Sequence, residues 1–69
     1  MMQYTNSKMR EAIDECVHNE KHRDILKRRL IDGWTYERIA EDADRTPRQV
    51  RNIMERYTAT LYDYLRLRS

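Results

Sequence analysis

The residues of this chain that are best suited to metal chemistry stand close together in its first third. His18 and His22 are four residues apart, a spacing that can hold zinc from one face of a helix. The metalloprotease motif needs a glutamate directly after the first histidine, and Asn19 occupies that position. Cys16 lies on an apolar stripe, which is typical of a small core hydrophobe. We therefore expect neither a metal site nor a reactive thiol.

The sequence holds no other constellation that is typical of catalysis. Its single glycine, Gly33, excludes a glycine-rich phosphate loop, and we find no Ser-His-Asp set and no paired acids in a plausible cleft. The neighbouring Trp34 is expected to pack between helices rather than to stack on a partner. We expect no enzyme and no cofactor.

The charges of the chain are arranged in blocks. Residues 1–20 carry two positive and four negative charges, and residues 21–29 carry five positive and one negative. Residues 30–44 carry one positive and five negative charges, and residues 45–69 carry six positive and two negative. The blocks of −2, +4, −4 and +4 sum to the net charge of +2. A basic face of this kind is a candidate for phosphate binding, although solvated helix faces that pair with each other give the same pattern.

The composition predicts one all-α domain over residues 1–69, a small bundle of four to five helices. The only Asp-Gly pair, Asp32-Gly33, has no alternating strand pattern on either side, so a hairpin is not expected. No apolar run approaches the roughly 18 residues of a membrane span, and Met1–Tyr4 does not resemble a signal-peptide core. A single cysteine fits a reducing compartment, so we expect a cytoplasmic protein without membrane partners.

The first half of the chain shows two segments with a helical period. The apolar stripe of the first consists of Met9, Ala12, Ile13, Cys16 and Val17. Asn6 or Ser7 precedes this stripe and is a suitable N-cap. A second helix is predicted from Glu20 to Asp32. Its apolar side consists of His22, Ile25, Leu26, Leu30 and the stem of Arg29. The pattern leaves open whether residues 7–32 form one helix or two.

Two further helices are predicted after the glycine. Gly33 suits the left-handed end of the preceding helix, and Thr35 suits the N-cap of a short helix that contains Tyr36, Ile39, Ala40 and Ala43. The turn Asp44-Arg45 comes next. Thr46-Pro47-Arg48-Gln49 is then a capping box, with proline at the first helical position, where its missing N–H costs nothing.

The last predicted helix runs from Pro47 to about Leu67 and is roughly 31 Å long. Its apolar stripe lies within an arc of about 120° and consists of Val50, Ile53, Met54, Tyr57, Leu61, Tyr64 and Leu65. The opposite side carries Arg48, Arg51, Asn52, Glu55 and Arg66. Four residues of the stripe lie in the C-terminal half, Tyr57, Leu61, Tyr64 and Leu65. They either pack on the Met9–Val17 helix, which is slightly favoured, or form the seam of a homodimer.

Residues 36–55 resemble the helix-turn-helix motif of bacterial and phage regulators. A small residue stands where the two helices of that motif cross, Ala40, and apolar residues stand at the core positions Ile39, Ala43, Val50 and Ile53. The turn departs from the family pattern at two positions. Asp44 replaces a frequent glycine but tolerates left-handed geometry, and Arg45 replaces an apolar residue.

A wider resemblance, over about residues 22–65, is to the promoter-reading fourth region of bacterial sigma factors and to the small phage regulators built on that module. The stretches that carry it are Ile25-Leu26, Leu30 to Ala40, and Thr46-Pro47-Arg48-Gln49-Val50-Arg51. The resemblance implies a sequence-specific DNA-binding regulator of transcription from a bacterial or prophage genome. In such a protein the last helix lies in the major groove as the recognition helix.

The same resemblance implies which residues contact double-stranded DNA. The residues carried over are Thr35, Arg45, Thr46, Pro47, Arg48, Arg51, Asn52, Glu55 and Arg56. Arg48 and Arg51 suit guanine, Asn52 suits adenine and Glu55 suits cytosine, whereas Arg45, Arg56 and Thr35 suit phosphates. Lys27 and Arg28 are expected to reach the DNA backbone on the flank. The alternative is that Arg48, Arg51 and Glu55 form exposed helix pairs with one another.

Two other functions are open at this stage. The first is a protein-interaction module that binds RNA polymerase or another protein through its acidic segment 32–44 and its C-terminal apolar stripe. The second is a phage DNA-packaging recognition subunit, which would form a large oligomer. The fold alone does not decide among them.

Overall fold

The computed structural model describes residues 5–68, without the side chain of Arg68, and the tetrapeptide Met1–Tyr4 lies outside the described residues. Four helices follow one another: α1 (Asn6–Cys16), α2 (Glu20–Leu30), α3 (Tyr36–Ala43) and α4 (Pro47–Arg68). In this part of the chain there is no strand, so the predicted all-α bundle is confirmed. None of these helices is long and apolar enough to cross a bilayer.

A break between α1 and α2 settles whether residues 7–32 form one helix or two. Val17 ends α1 in an extended conformation, and Asn19 caps α2 by accepting from the backbone N–H groups of Lys21 at 2.9 Å and His22 at 3.1 Å. The predicted N-cap of α1 is wrong by one residue. Thr5, not Asn6 or Ser7, accepts from the N–H of Lys8 at 3.2 Å, because the helix already begins at Asn6.

The end of α2 also differs from the prediction. The helix ends at Leu30 rather than at Asp32, because the N–H groups of Ile31 and Asp32 both donate to the carbonyl of Lys27, at 2.9 and 3.2 Å. Gly33 then takes φ +75°, as predicted, and the N–H of Trp34 reaches back to Arg28 at 3.0 Å. The chain thus turns tightly into α3.

The turn between α3 and α4 has the predicted local chemistry. Asp44 is left-handed, at φ 55° and ψ 47°, and the N–H of Arg45 returns to the carbonyl of Ala40 at 2.9 Å. The capping box is complete, since Thr46 N–H donates to Gln49 Oε1 at 2.9 Å and Gln49 N–H donates to Thr46 Oγ1 at 3.2 Å. Both orphan donors at the start of α4 are therefore satisfied.

Helix α4 joins the two halves of the core. Its first turns pack Val50 and Ile53 into a cluster with Ile25, Ile39 and Ala40. Its later turns enter a second cluster, which contains Met9, Ala12, Ile13, Val17, Leu26, Met54, Leu61 and Leu65. Leu61 and Leu65 are only 1% and 3% exposed and are part of this monomeric core. The predicted packing on α1 is confirmed, and a dimer seam built on these two leucines would have to open the core.

Candidate nucleic-acid interface

The exposed side of the N-terminal half of α4 carries four polar residues of the predicted site. Arg48, Arg51, Asn52 and Glu55 are all exposed. The capping box at Thr46 and the burial of Val50 and Ile53 fix the rotation of the helix, so this side must face outward. We call Arg48, Arg51, Asn52 and Glu55 the reading face.

The charged side chains of the reading face are not held by other charges of the protein. The ion pairs within the described side chains are Asp14–Lys27, Arg28–Asp32 and Asp63–Arg66. None of them includes Arg48, Arg51 or Glu55, so the alternative of exposed helix pairs is not what the structure has. These groups remain available to a partner.

A groove runs along one side of the reading face, between the start of α3 and the start of α4. It is lined by Tyr36, Glu37, Pro47, Arg48, Arg51 and Asn52, and we call it the tyrosine groove. The guanidinium of Arg51 lies 5.5 Å from the centre of the Tyr36 ring, and that of Arg29 lies 4.3 Å from it. The ring therefore holds a positive charge at the mouth of this groove.

A related arrangement fixes the loop before α3. The Trp34 ring has the guanidinium of Arg28 at 4.5 Å and that of Arg38 at 4.0 Å. Arg29 also donates from Nη1 to the Trp34 carbonyl at 2.9 Å. Trp34 is half-buried and packs against the Ile25–Ile39 cluster, as its predicted role in packing requires.

A second groove runs along the other side of the reading face, between the start of α2 and α4. It is lined by His22, Arg45, Gln49, Asn52, Ile53 and Arg56, and we call it the histidine groove. Its volume is about 250 Å³, room for several water molecules of about 30 Å³ each. Asn52 lines both grooves, so the two depressions adjoin at this residue.

His22 is the titratable group of the histidine groove. Its Nδ1 lies 2.9 Å from the hydroxyl oxygen of Tyr57, and the two rings meet edge to face at 5.6 Å between centroids. Burial lowers the pKa of His22 below its ordinary value of 6.5, and the charges of Arg45 and Arg56 lower it further. The imidazole is therefore neutral at pH 7, beside two guanidinium groups.

Two predicted contact residues use their side chains within the protein. Thr35 Oγ1 accepts from the N–H of Arg38 at 3.1 Å, and Thr46 Oγ1 serves the capping box. The two basic residues expected on the flank also form ion pairs within the protein: Lys27 Nζ lies 2.9 Å from Asp14 Oδ1, and Arg28 Nη1 lies 3.3 Å from Asp32 Oδ2. Arg28 and Lys27 therefore contribute less free charge than the sequence suggests.

The two histidines do not share one helix face. His18 lies in the exposed loop between α1 and α2, whereas His22 lies in the first turn of α2 with its ring on Tyr57. The spacing of four residues therefore does not place His18 and His22 on one face of a helix, as a zinc site of this kind would need. Cys16 is half-buried against the core, and burial raises the pKa of its thiol, which fits the predicted role as a small hydrophobe.

Five residues that line the grooves were not among the predicted contact residues: Tyr36, Glu37, His22, Gln49 and Ile53. Tyr36 and His22 were assigned to apolar helix faces, and Gln49 to the capping box. Their second role depends on neighbours far away in sequence, since Tyr36 faces Arg51 and His22 faces Arg45 and Arg56. No local pattern in the sequence indicates these contacts.

No protein family, curated protein or solved structure matches this chain.

Proposed function

We propose that this chain is a sequence-specific binder of double-stranded DNA and that the reading face of α4 enters the major groove. The observation that carries the proposal is the exposed reading face of α4, which forms no ion pair among the described side chains and is bordered by the histidine groove with its two further arginines, Arg45 and Arg56. An α-helix fits the major groove of B-DNA, which is about 12 Å wide. One sugar–phosphate wall of that groove would then lie along the histidine groove.

The residue types divide between bases and phosphates in the same way. Arg48 and Arg51 are suited to guanine O6 and N7, Asn52 to adenine and Glu55 to the amino group of cytosine. Arg45 and Arg56, in the histidine groove, are suited to phosphates. Pro47 places an apolar surface in the tyrosine groove, beside Arg48.

A role in transcription, in the cytoplasm of a bacterium or in a prophage, is the proposed setting of this activity. It is supported by the likeness of residues 22–65 to the fourth region of sigma factors. The helix order and the left-handed Asp44 turn are compatible with that likeness.

The first experiment is an amide NMR titration of labelled protein with a random-sequence duplex at low and at high salt. We expect salt-sensitive shifts at Arg45, Arg56 and the reading face, because the first contacts are to phosphates. Three to five neutralised phosphates would each contribute about −0.9 to the slope of log K against log salt. If the protein is folded and its amide signals do not shift when DNA is added at low salt, the proposal is refuted.

Replacement of single arginines then tests the base contacts on a selected sequence. We expect Arg48→Ala and Arg51→Ala each to weaken specific binding by roughly 1–3 kcal/mol, measured by fluorescence anisotropy. Arg10→Ala is the matched control, because Arg10 is exposed on α1, away from both grooves. Equal affinity of the control and the two variants would remove Arg48 and Arg51 from the site.

A second candidate function is binding of a protein such as RNA polymerase through the acidic segment 32–44. It is favoured by a mixed-charge cleft of about 530 Å³ between α2 and α3, whose charged lining is Lys21, Asp24, Arg28, Asp42, Asp44 and Arg45. Loss of polymerase binding in a combined Glu37→Gln, Glu41→Gln, Asp42→Asn variant, without any affinity for DNA, would support it. Retained polymerase binding in that variant would exclude this face.

A further inference from the structure

We propose that the histidine groove is a seat for a phosphate group of the DNA backbone and that His22 takes up a proton when the phosphate binds. The inference rests on the proposed function, because it assigns a ligand to one wall of the same interface. It makes His22 a phosphate contact that pH can regulate.

The groove brings three nitrogen-bearing side chains from separate parts of the chain to one place. Arg45 comes from the α3–α4 turn, Arg56 from α4 and His22 from α2. Among the ion pairs of the described side chains, none includes Arg45 or Arg56. Two unpaired guanidinium groups around one concave surface favour an anion there, and phosphate is the anion that arginine binds best in a planar, bidentate way.

The contacts of His22 leave room for a second proton. Nδ1 is engaged with Tyr57, and within residues 5–67 no hydrogen bond to Nε2 is formed. In the neutral tautomer that accepts from the tyrosine hydroxyl at Nδ1, Nε2 already carries its proton and can donate to a phosphate oxygen. The second proton goes to Nδ1, and the imidazolium then donates from Nδ1 to the same tyrosine oxygen, so protonation does not cost this contact.

The charges that face His22 determine whether phosphate binding raises or lowers its pKa. They are Arg45 from the turn and Arg56 from α4, together with the neutral Tyr57 hydroxyl. Helix α2, which carries His22, also carries Lys21 and Asp24. These two residues have opposite charges and line the adjoining mixed-charge cleft. Two cations disfavour a third charge of the same sign, and the negative charge of a bound phosphate offsets part of this repulsion. Phosphate binding must therefore raise the pKa of His22, and by linkage low pH must strengthen phosphate binding.

The test is an NMR titration of the imidazole C–H signals with pH, for the free protein, with inorganic phosphate and with a random-sequence duplex. His18 serves as the internal control in the same spectra, because it lies in an exposed loop outside the groove. We expect the duplex to raise the pKa of His22.

The outcomes separate this inference from the proposed function. If the duplex shifts the amides of the reading face but leaves the pKa of His22 unchanged, the inference fails and the DNA-binding proposal stands. If inorganic phosphate raises the pKa of His22 while the duplex shifts no amide of α4, the seat exists for free phosphate and the DNA-binding proposal fails. If neither ligand has any effect, both proposals fail.

Affinity measurements on variants give a second, independent readout. We expect DNA affinity to rise by up to about fivefold between about pH 8 and pH 5.5, the upper end for one exposed ion pair. His22→Gln should remove this rise, whereas the control His18→Gln should keep it. An equal rise in all three proteins would assign the pH dependence to other groups and overturn the inference.

Discussion

Arginine residues of this chain have two distinct environments. Arg28, Arg29 and Arg38 have their guanidinium groups within 4.5 Å of a tryptophan or tyrosine ring centre, which fixes the planar group and keeps its charge. Arg48 and Arg56 are exposed and belong to no ion pair of the described side chains. At the scale of the residue, the first group is fixed on the rings of Trp34 and Tyr36, and the second has no ring contact or ion pair of this kind.

The lowered pKa of His22 makes a prediction for the unbound protein. The unfolded chain takes up the proton first, near pH 6.5, so the contribution of His22 to stability is complete above that pH. It is lost as the pH falls from 6.5 through the lower pKa of the folded state. Urea unfolding at a series of pH values should show stability that declines over this range.

The matched variants are again His22→Gln and His18→Gln. The decline should become shallower in His22→Gln and stay unchanged in His18→Gln. Asp14 does not interfere, because its hydrogen bond to Lys27 lowers its pKa below 3.8 and its contribution is lost only in stronger acid. Identical slopes for the wild type and His22→Gln would show that protonation of His22 does not oppose folding.

At the scale of the element, the structure shows which helix ends a sequence can predict. The capping box at Thr46 and the left-handed Asp44 were predictable, since each depends on contacts within five residues. The start of α1 was not, because Thr5, Asn6 and Ser7 are three adjacent residues that can all cap. The end of α2 was predicted two residues too late, because the N–H groups of Ile31 and Asp32 both donate to the Lys27 carbonyl. No residue type in the sequence indicates this arrangement.

The turn at Gly33 supplies a prediction at this scale. An added Cβ would meet nothing within 4 Å, so the cost of a substitution comes from φ +75° alone. We expect Gly33→Ala to lower the free energy of unfolding by about 1–2 kcal/mol. Gly33→Asn should cost less, because asparagine tolerates the left-handed region, and thermal unfolding compares the two. Equal loss in both variants would indicate a steric cause instead.

At the scale of the whole molecule, α4 belongs to both halves of the core. The chain measures 34 × 23 × 16 Å, and α4, with 22 residues at about 1.5 Å each, spans nearly all of the longest dimension. The sequence predicted this helix and its stripe, because the helical period is local information. It did not predict the grooves, since His22 and Arg56 approach each other across 34 positions.

This arrangement predicts that the C-terminal half of α4 is needed for folding. Leu61→Ala should cost about 2–5 kcal/mol in the free energy of unfolding, because Leu61 of α4 is only 1% exposed and lies in one core cluster with residues of α1. Leu67→Ala, at a site 82% exposed, is the control and should change little. Urea denaturation measures both, and a Leu61→Ala protein without any unfolding transition counts as the expected loss. A small effect at Leu61 would show that α1 and α4 do not share a core.

The separation of exposed from buried residues along α4 also affects how the sequence of this chain can change during evolution. Arg48, Asn52 and Glu55 are exposed and make no ion pair within the described side chains. Val50, Ile53 and Met54, which alternate with them along the sequence, are buried. Surface substitutions of this kind usually change stability by less than about 0.5 kcal/mol. Descendants of one ancestor can therefore exchange these three side chains and still fold.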